Sequence, residues 1–227
     1  MFYWGDPTFI LLIPVLILAF YAQAKVKGNY KKYLQVKSTV QMTGAEVART
    51  ILDRNGLADI NVVAIEGTLT DNYNPKTREV NLSKDVFYGD SVSAIAITAH
   101  ECGHALQHAT GYAALIMRSS ILPIANLGSW MAFPLFFLGL IFSMSLLMDI
   151  GIILFAGALA FHLVTLPVEY NASQRAFAQL DDRIIIYKDE MQGARKVLNA
   201  AALTYVAATL MALINLLRLI LLRNSRN

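Results

Sequence analysis

Four long stretches of this 227-residue chain contain no Asp, Glu, Lys or Arg, and no other feature constrains its fold as strongly. They run from Thr8 to Ala24 ("TFILLIPVLILAFYAQA"), from about Ile121 to Met148, from Ile150 to Val168 and from Leu198 to Leu217. A helix needs about 20 apolar residues, within a range of about 17–25, to cross a bilayer. All four qualify, the first near the lower limit. The second and third are separated only by Asp149 and its neighbours, which predicts a tight helical hairpin turning there. Composition agrees: 56% of residues are hydrophobic and 15% charged, against about 45–50% and about 25% in soluble domains. The expectation is a mainly α integral membrane protein with four membrane helices and a small α+β domain between the first and second.

The first stretch has a competing reading, because "AQA" at 22–24 resembles a signal-peptidase site. A signal peptide also wants a basic leading segment, and "MFYWGDP" has an aspartate and no lysine or arginine. A retained anchor is therefore expected. Lysines and arginines flanking the spans set orientation. Lys25, Lys27, Lys31, Lys32 and Lys37 follow the first span with no acid among them, so this side reads as cytoplasmic. Residues 25–118 and 169–197 then share the cytoplasmic side, and the second of these segments carries Arg175, Arg183, Lys188, Arg195 and Lys196. The tail conflicts with this scheme. Four spans put Arg218, Arg223 and Arg226 outside, so either the fourth stretch stops short or the rule fails there.

The chain thus divides into an N-terminal membrane anchor (1–24), an α+β domain (25–118), a two-helix membrane hairpin (119–168), a helical segment (169–197) and a C-terminal membrane helix (198–227). Its partners are expected to include the lipid bilayer. A net charge of +3, scattered along the chain, gives no reason to expect nucleic acid. A single cysteine, Cys102, excludes an intrachain disulfide and fits a reducing compartment.

Within 25–118, Thr43 followed by Glu46 forms a capping box for a helix with an apolar stripe at 47, 48, 51 and 52. Gly56 suits its stop. "INVVAIE" (60–66) reads as a strand, and two short strands flank the turn "NPKT" at 74–77. Ser91 opens a helix through "SVSAIAITAHECGHALQHAT" that ends near Gly111.

That last helix carries the chemistry. His100 and His104 are one turn apart on one face, where both imidazoles can reach one ion at the 2.0–2.1 Å typical of zinc–nitrogen bonds. Glu101, on the shoulder of that face, is placed to hydrogen-bond a water held by the metal and to take its proton during attack on a carbonyl. H-E-x-x-H on a helix is the metallopeptidase signature for this reason. His108 shares the stripe but lies about 12 Å along the axis from His100, too far to meet the same ion easily, so a packed or solvated role is expected. Cys102 points away and reads as core. Gly103 leaves room for close packing.

A catalytic zinc needs a third protein ligand and one open position. The candidates are Glu169, Asp149, His162 and His108. Two spans separate His104 from Glu169, which puts both on one side of the bilayer, whereas Asp149 follows a single span. His162 lies within the third span, where an ionisable residue is a functional suspect. Topology therefore favours Glu169, in "LPVEYNASQRA".

"HECGH", followed after a two-span hairpin by "LPVEYNASQRA", resembles the membrane-bound neutral zinc metallopeptidases of the YugP type. The likeness extends to the N-terminal anchor, to "NPKTREVNLS" and to the C-terminal apolar segment. It is more distantly similar to the gluzincin membrane proteases of the HtpX and CAAX-prenyl types. The resemblance implies a zincin-like domain, one catalytic Zn²⁺ held by His100, His104 and Glu169, Glu101 as base, and a protein or peptide substrate. It implies a bacterial cell membrane protein. Ser173 departs from the gluzincin pattern, which has an aspartate there to orient a ligand histidine. Arg175 and then Tyr170 are the expected donors to a developing oxyanion. Val80, Asn81 and Leu82, in the strand near "EVNLS", are expected to align an extended substrate by strand addition.

The reading that results is a zinc endopeptidase with its site at the cytoplasmic face. Two other readings compete with it. One is an intramembrane protease of the site-2 type with Asp149 as third ligand. The other is a non-catalytic membrane scaffold with a closed, structural zinc, whose fourth ligand would have to be His108 or Cys102.

Overall fold

A computed structural model describes residues 7–181 and 185–225. Arg183 and Arg226, used above in the charge argument, lie outside the described residues. In chain order, a 3₁₀ turn at Pro7–Leu11 leads into α1 (Leu12–Leu34), followed by α2 (Gly44–Arg54), β1 (Asn61–Ile65), β2 (Asn72–Asn74), β3 (Glu79–Ser83), α3 (Lys84–Phe87), α4 (Val92–Ala109), α5 (Ala113–Phe142), α6 (Ser145–Leu180) and α7 (Lys188–Asn224). The helix Thr8–Leu34 together with α5, α6 and α7 are long and apolar enough to cross a membrane. The chain forms two compact units, and α1, α5, α6 and α7 contribute to both.

One unit takes in the chain up to Gln23, Ile116–Pro167 and the chain from Leu203. Its interior is Ala132, Phe136, Met148, Phe155, Leu159, Ala212 and Leu219. Its outward residues are also apolar, Trp130 being 76% exposed, as a lipid-facing surface requires. Small residues let its helices meet backbone to backbone: a Cβ on Gly128 would lie 2.6 Å from the Leu154 carbonyl oxygen. The α5–α6 turn falls at Ser143–Met144, not at Asp149. Ser143 takes a left-handed φ of 54°, and the Met144 N–H caps the Gly139 carbonyl at 2.8 Å. Asp149 instead lies inside α6, where its carboxylate accepts two bonds from Arg223, at 2.9 and 3.2 Å. Arg218 donates to Thr8 Oγ1 at 3.0 Å and sits 4.0 Å over the Phe9 ring. Thr8, Asp149, Arg218 and Arg223 therefore gather at one end of this unit. The C-terminal end of α7 shares that end with the start of the first apolar helix.

The other unit comprises Ala24–Leu115 and Val168–Ala202. The Thr43–Glu46 capping box is present, with the Thr43 N–H donating to the Glu46 carboxylate at 2.8 Å, and that bond holds the exposed Glu46 carboxyl below its ordinary range. Gly56 follows α2 with φ +71°. The sheet order is β1-β3-β2, with β1 parallel and β2 antiparallel to β3. Val80 and Leu82 on β3 point into a core shared with Ile51 and Leu52 of α2 and with Ile95 and Ala99 of α4. Ser91 caps α4 by accepting from the Ala94 N–H at 3.1 Å. Gly111, at φ +62°, ends it, and the Tyr112 N–H reaches back to the Gln107 carbonyl at 2.9 Å.

Candidate metal centre

α4 is buried nearly from end to end, which fixes the direction of its polar face. On that face the rings of His100 and His104 stand edge-to-face with centroids 4.8 Å apart. α6 passes alongside and supplies Glu169, a carboxylate only 2% exposed. Its Oε2 lies 3.2 Å from His100 Nε2 and 3.5 Å from His104 Nε2. The ligand atoms of these three residues all lie within 4.8 Å of one another. The close approach of α4 and α6 depends on Gly103, where a Cβ would stand 2.4 Å from the Ala172 carbonyl oxygen.

The donor set fits a zinc ion. Tetrahedral bonds of 2.0–2.2 Å imply ligand–ligand edges of about 3.3–3.5 Å, and the two imidazole-to-carboxylate distances fall close to those edges. Two imidazoles and one carboxylate leave one position of four for water or substrate, as catalytic zinc sites do. The imidazole nitrogens turned away from Glu169 are also engaged. His100 Nδ1 lies 3.1 Å from Ser173 Oγ, and His104 Nδ1 lies 3.0 Å from Gln107 Oε1. Ligand histidines are usually anchored in this way.

Glu101 is buried beside the pair. Burial raises its carboxyl above the usual carboxylate range, against the opposing pull of His100 and His104 and with the help of Glu169 and Asp71. His104 is also held above its ordinary value. Burial works against that shift, but the bond to Glu169 and the nearby Glu101 outweigh it.

The other expected residues lie elsewhere. Cys102 is fully buried, its Sγ 4.0 Å from the Ala48 carbonyl oxygen, and burial pushes its thiol far up. His108 Nδ1 is 2.8 Å from the Tyr73 hydroxyl. His162 and Asp149 belong to the first unit, Asp149 in its pair with Arg223. Among the described residues, the grouping able to hold a metal is His100, His104 and Glu169. Arg175 is half-buried and donates through Nε to Asn171 Oδ1 at 2.8 Å. Tyr170 is 52% exposed. Val80, Asn81 and Leu82 require a correction. They sit in the central strand: all three pair with β1, Val80 and Asn81 also pair with β2, and the Ser83 N–H that follows them is taken by the Asp71 carboxylate at 2.7 Å. Strand addition needs an outer strand, and β3 is not one; the outer strands are β1 and β2.

Gln107, Asn171 and Tyr73 are contacts the sequence does not single out. Gln107 had a signal, since it lies three residues after His104 and so shares its helix face. Tyr73 had none, because its link to His108 spans 35 residues.

Two imidazoles a turn apart on one buried helix, a carboxylate from a second helix and a buried glutamate between the imidazoles in sequence make a three-donor group able to hold a metal ion, here in a helical membrane protein. The chain belongs to the zinc peptidase family described as "Putative neutral zinc metallopeptidase", which it matches over residues 8–224. It is 51% identical over 213 residues, 93% of this chain and 94% of the relative, to a protein of Bacillus subtilis (strain 168) named "Putative membrane protease YugP". No solved structure matches the chain.

Proposed function

We propose that the protein is a membrane-anchored zinc endopeptidase that hydrolyses peptide bonds at a single metal centre facing the cytoplasm. The observation that carries this reading is the meeting of Glu169 with both HECGH imidazoles while Glu101 stays outside the ligand set. Zinc bound by His100, His104 and Glu169 would supply Lewis-acid activation of water and of the scissile carbonyl. Glu101 accepts the attacking water's proton and returns it to the departing amine. Arg175 and Tyr170 are the proposed oxyanion donors. The substrate is a peptide or protein lying extended along the outer edge of β2, in line with the family's name. The cytoplasmic orientation is supported by the lysines that follow the first span.

The test uses full-length protein in detergent, a quenched fluorescent peptide library and metal analysis. Glu101→Gln is expected to keep zinc and lose at least about 10²–10⁴-fold in turnover, the usual worth of general acid–base catalysis. Glu169→Ala is expected to lose zinc. A Glu101→Gln protein that cleaves at the wild-type rate overturns the catalytic reading.

A further inference from the structure

We propose that Gln107 is a positioning residue of the metal centre: it locks His104 as the Nδ1–H tautomer and joins it to the helix that carries Glu169. The inference rests on the zinc-centre reading above but follows from an independent chain of hydrogen bonds.

Gln107 is fully buried (0% exposed), so its amide must satisfy itself within the protein. One end faces the Val168 backbone carbonyl at 2.7 Å. A carbonyl oxygen can only accept, so that end is the NH₂ group. The same nitrogen reaches Asn171 Oδ1 at 3.1 Å. Asn171 is fixed in turn by Arg175, whose Nε can only donate and lies 2.8 Å from that oxygen. Two partners of unambiguous polarity therefore set both amides from opposite ends. The remaining atom, Gln107 Oε1, is an acceptor and faces His104 Nδ1 at 3.0 Å. His104 Nδ1 must then carry a hydrogen, and its Nε2, turned toward Glu169, is the nitrogen left to bind a metal.

His100 has no equivalent lock, because the Ser173 hydroxyl at its Nδ1 can donate or accept. Gln107 also ties the two halves of the site together. Val168 and Asn171 flank Glu169 on α6, so one side chain sets both the imidazole and the backbone from which the carboxylate projects. In this arrangement Arg175 also acts through Asn171 and Gln107 as a positioning residue.

The test uses full-length protein carrying ¹⁵N-labelled histidine, with long-range ¹⁵N–¹H spectra recorded above the imidazole titration range, and zinc Kd measured by chelator competition. Wild type is expected to show a hydrogen on His104 Nδ1 whether or not zinc is present; without zinc, Nε2 can hold a second one, directed at the Glu169 carboxylate 3.5 Å away. Gln107→Leu is expected to mix the tautomers and to weaken zinc binding by about 10–100-fold, the usual cost of losing such a partner. Gln107→Glu keeps an acceptor at Nδ1 but loses the donor to Val168. It is expected to hold the Nδ1–H tautomer, and it separates the effect on the imidazole from simple loss of packing. An Nε2–H tautomer in wild type overturns the inference. So does a Gln107→Leu protein with unchanged tautomer and zinc Kd, or a Gln107→Glu protein that loses the Nδ1–H form. A wild-type protein that shows the tautomer but binds no zinc overturns the metal-centre reading and leaves the assignment at His104 standing.

Discussion

Replacing Gly103 by alanine tests whether the spacing of two helices sets the metal centre. On an ordinary buried helix, Gly→Ala stabilises by about 0.8–1.0 kcal/mol through backbone entropy. Here the added Cβ would stand 2.4 Å from the Ala172 carbonyl oxygen, and real Cβ atoms essentially never come within 3.0 Å of a neighbour. Restoring an ordinary carbon–oxygen contact of about 3.3–3.6 Å means moving α4 and α6 apart by roughly 1 Å. Overpacking of this kind costs about 1–3 kcal/mol, so the net change in stability runs from about zero to roughly 2 kcal/mol unfavourable. The effect on metal binding is larger. Glu169 lies three residues before Ala172 on α6, so the displacement is passed to its carboxylate. A displacement of roughly 1 Å exceeds the 0.5 Å or so within which a site must be held. Zinc Kd by chelator competition is therefore expected to rise at least about tenfold, with a thermal melt that moves by only a few degrees. A Gly103→Ala protein that melts higher than wild type and binds zinc equally well would refute the claim that close helix approach builds the site.

Two further outcomes are expected. Asp149→Ala removes the pair with Arg223 and should lower the melting temperature while leaving zinc content unchanged; loss of zinc would revive the intramembrane reading. Asp71 is held above the usual carboxylate range because burial outweighs its bonds from Ser83. The folded state therefore binds this proton more tightly than the unfolded chain does, and stability falls as pH rises from about 4 through the raised value. Asp71→Asn should flatten that fall in thermal melts recorded from pH 4 to 7; curves that stay parallel to wild type would contradict it.

The features legible in the sequence were those written locally. The Thr43–Glu46 box, the Ser91 cap, the Gly111 stop and the HECGH face each depend on residues within about a turn of one another, and the structure shows each of them. The four apolar stretches were equally plain, although their helices extend past them. α6 runs on to Leu180 and α7 begins at Lys188, because polar helix continues where hydropathy ends. The position of the hairpin turn was not legible. A lone aspartate in an apolar run looks like a water-exposed apex, and only tertiary contact shows it paired with Arg223, 74 residues away. The pairing of β3 on both sides was hidden for the same reason. Chain order suggests that β2 and β3 pair through their short turn, but nothing local says that β1 covers the other edge of β3.

The choice of Ser173 and Gln107 behind the two imidazoles follows from the charge this buried pocket must carry. In the proposed site, a divalent ion held by neutral imidazoles and by Glu169 would keep one positive charge, and an ionised Glu101 beside it would bring the total to zero. A carboxylate at 173 would leave the pocket net negative within a site where Ser173, Glu101 and Glu169 are all buried. Burying an uncompensated charge costs several kcal/mol. A hydroxyl and an amide would orient the ligands through hydrogen bonds without adding charge, in keeping with the proposed role of Glu101 as an ionised proton acceptor. On this argument the neutral groups behind the imidazoles and the free carboxylate of the base form one design, and a second carboxylate at 173 would be gained at the expense of the first.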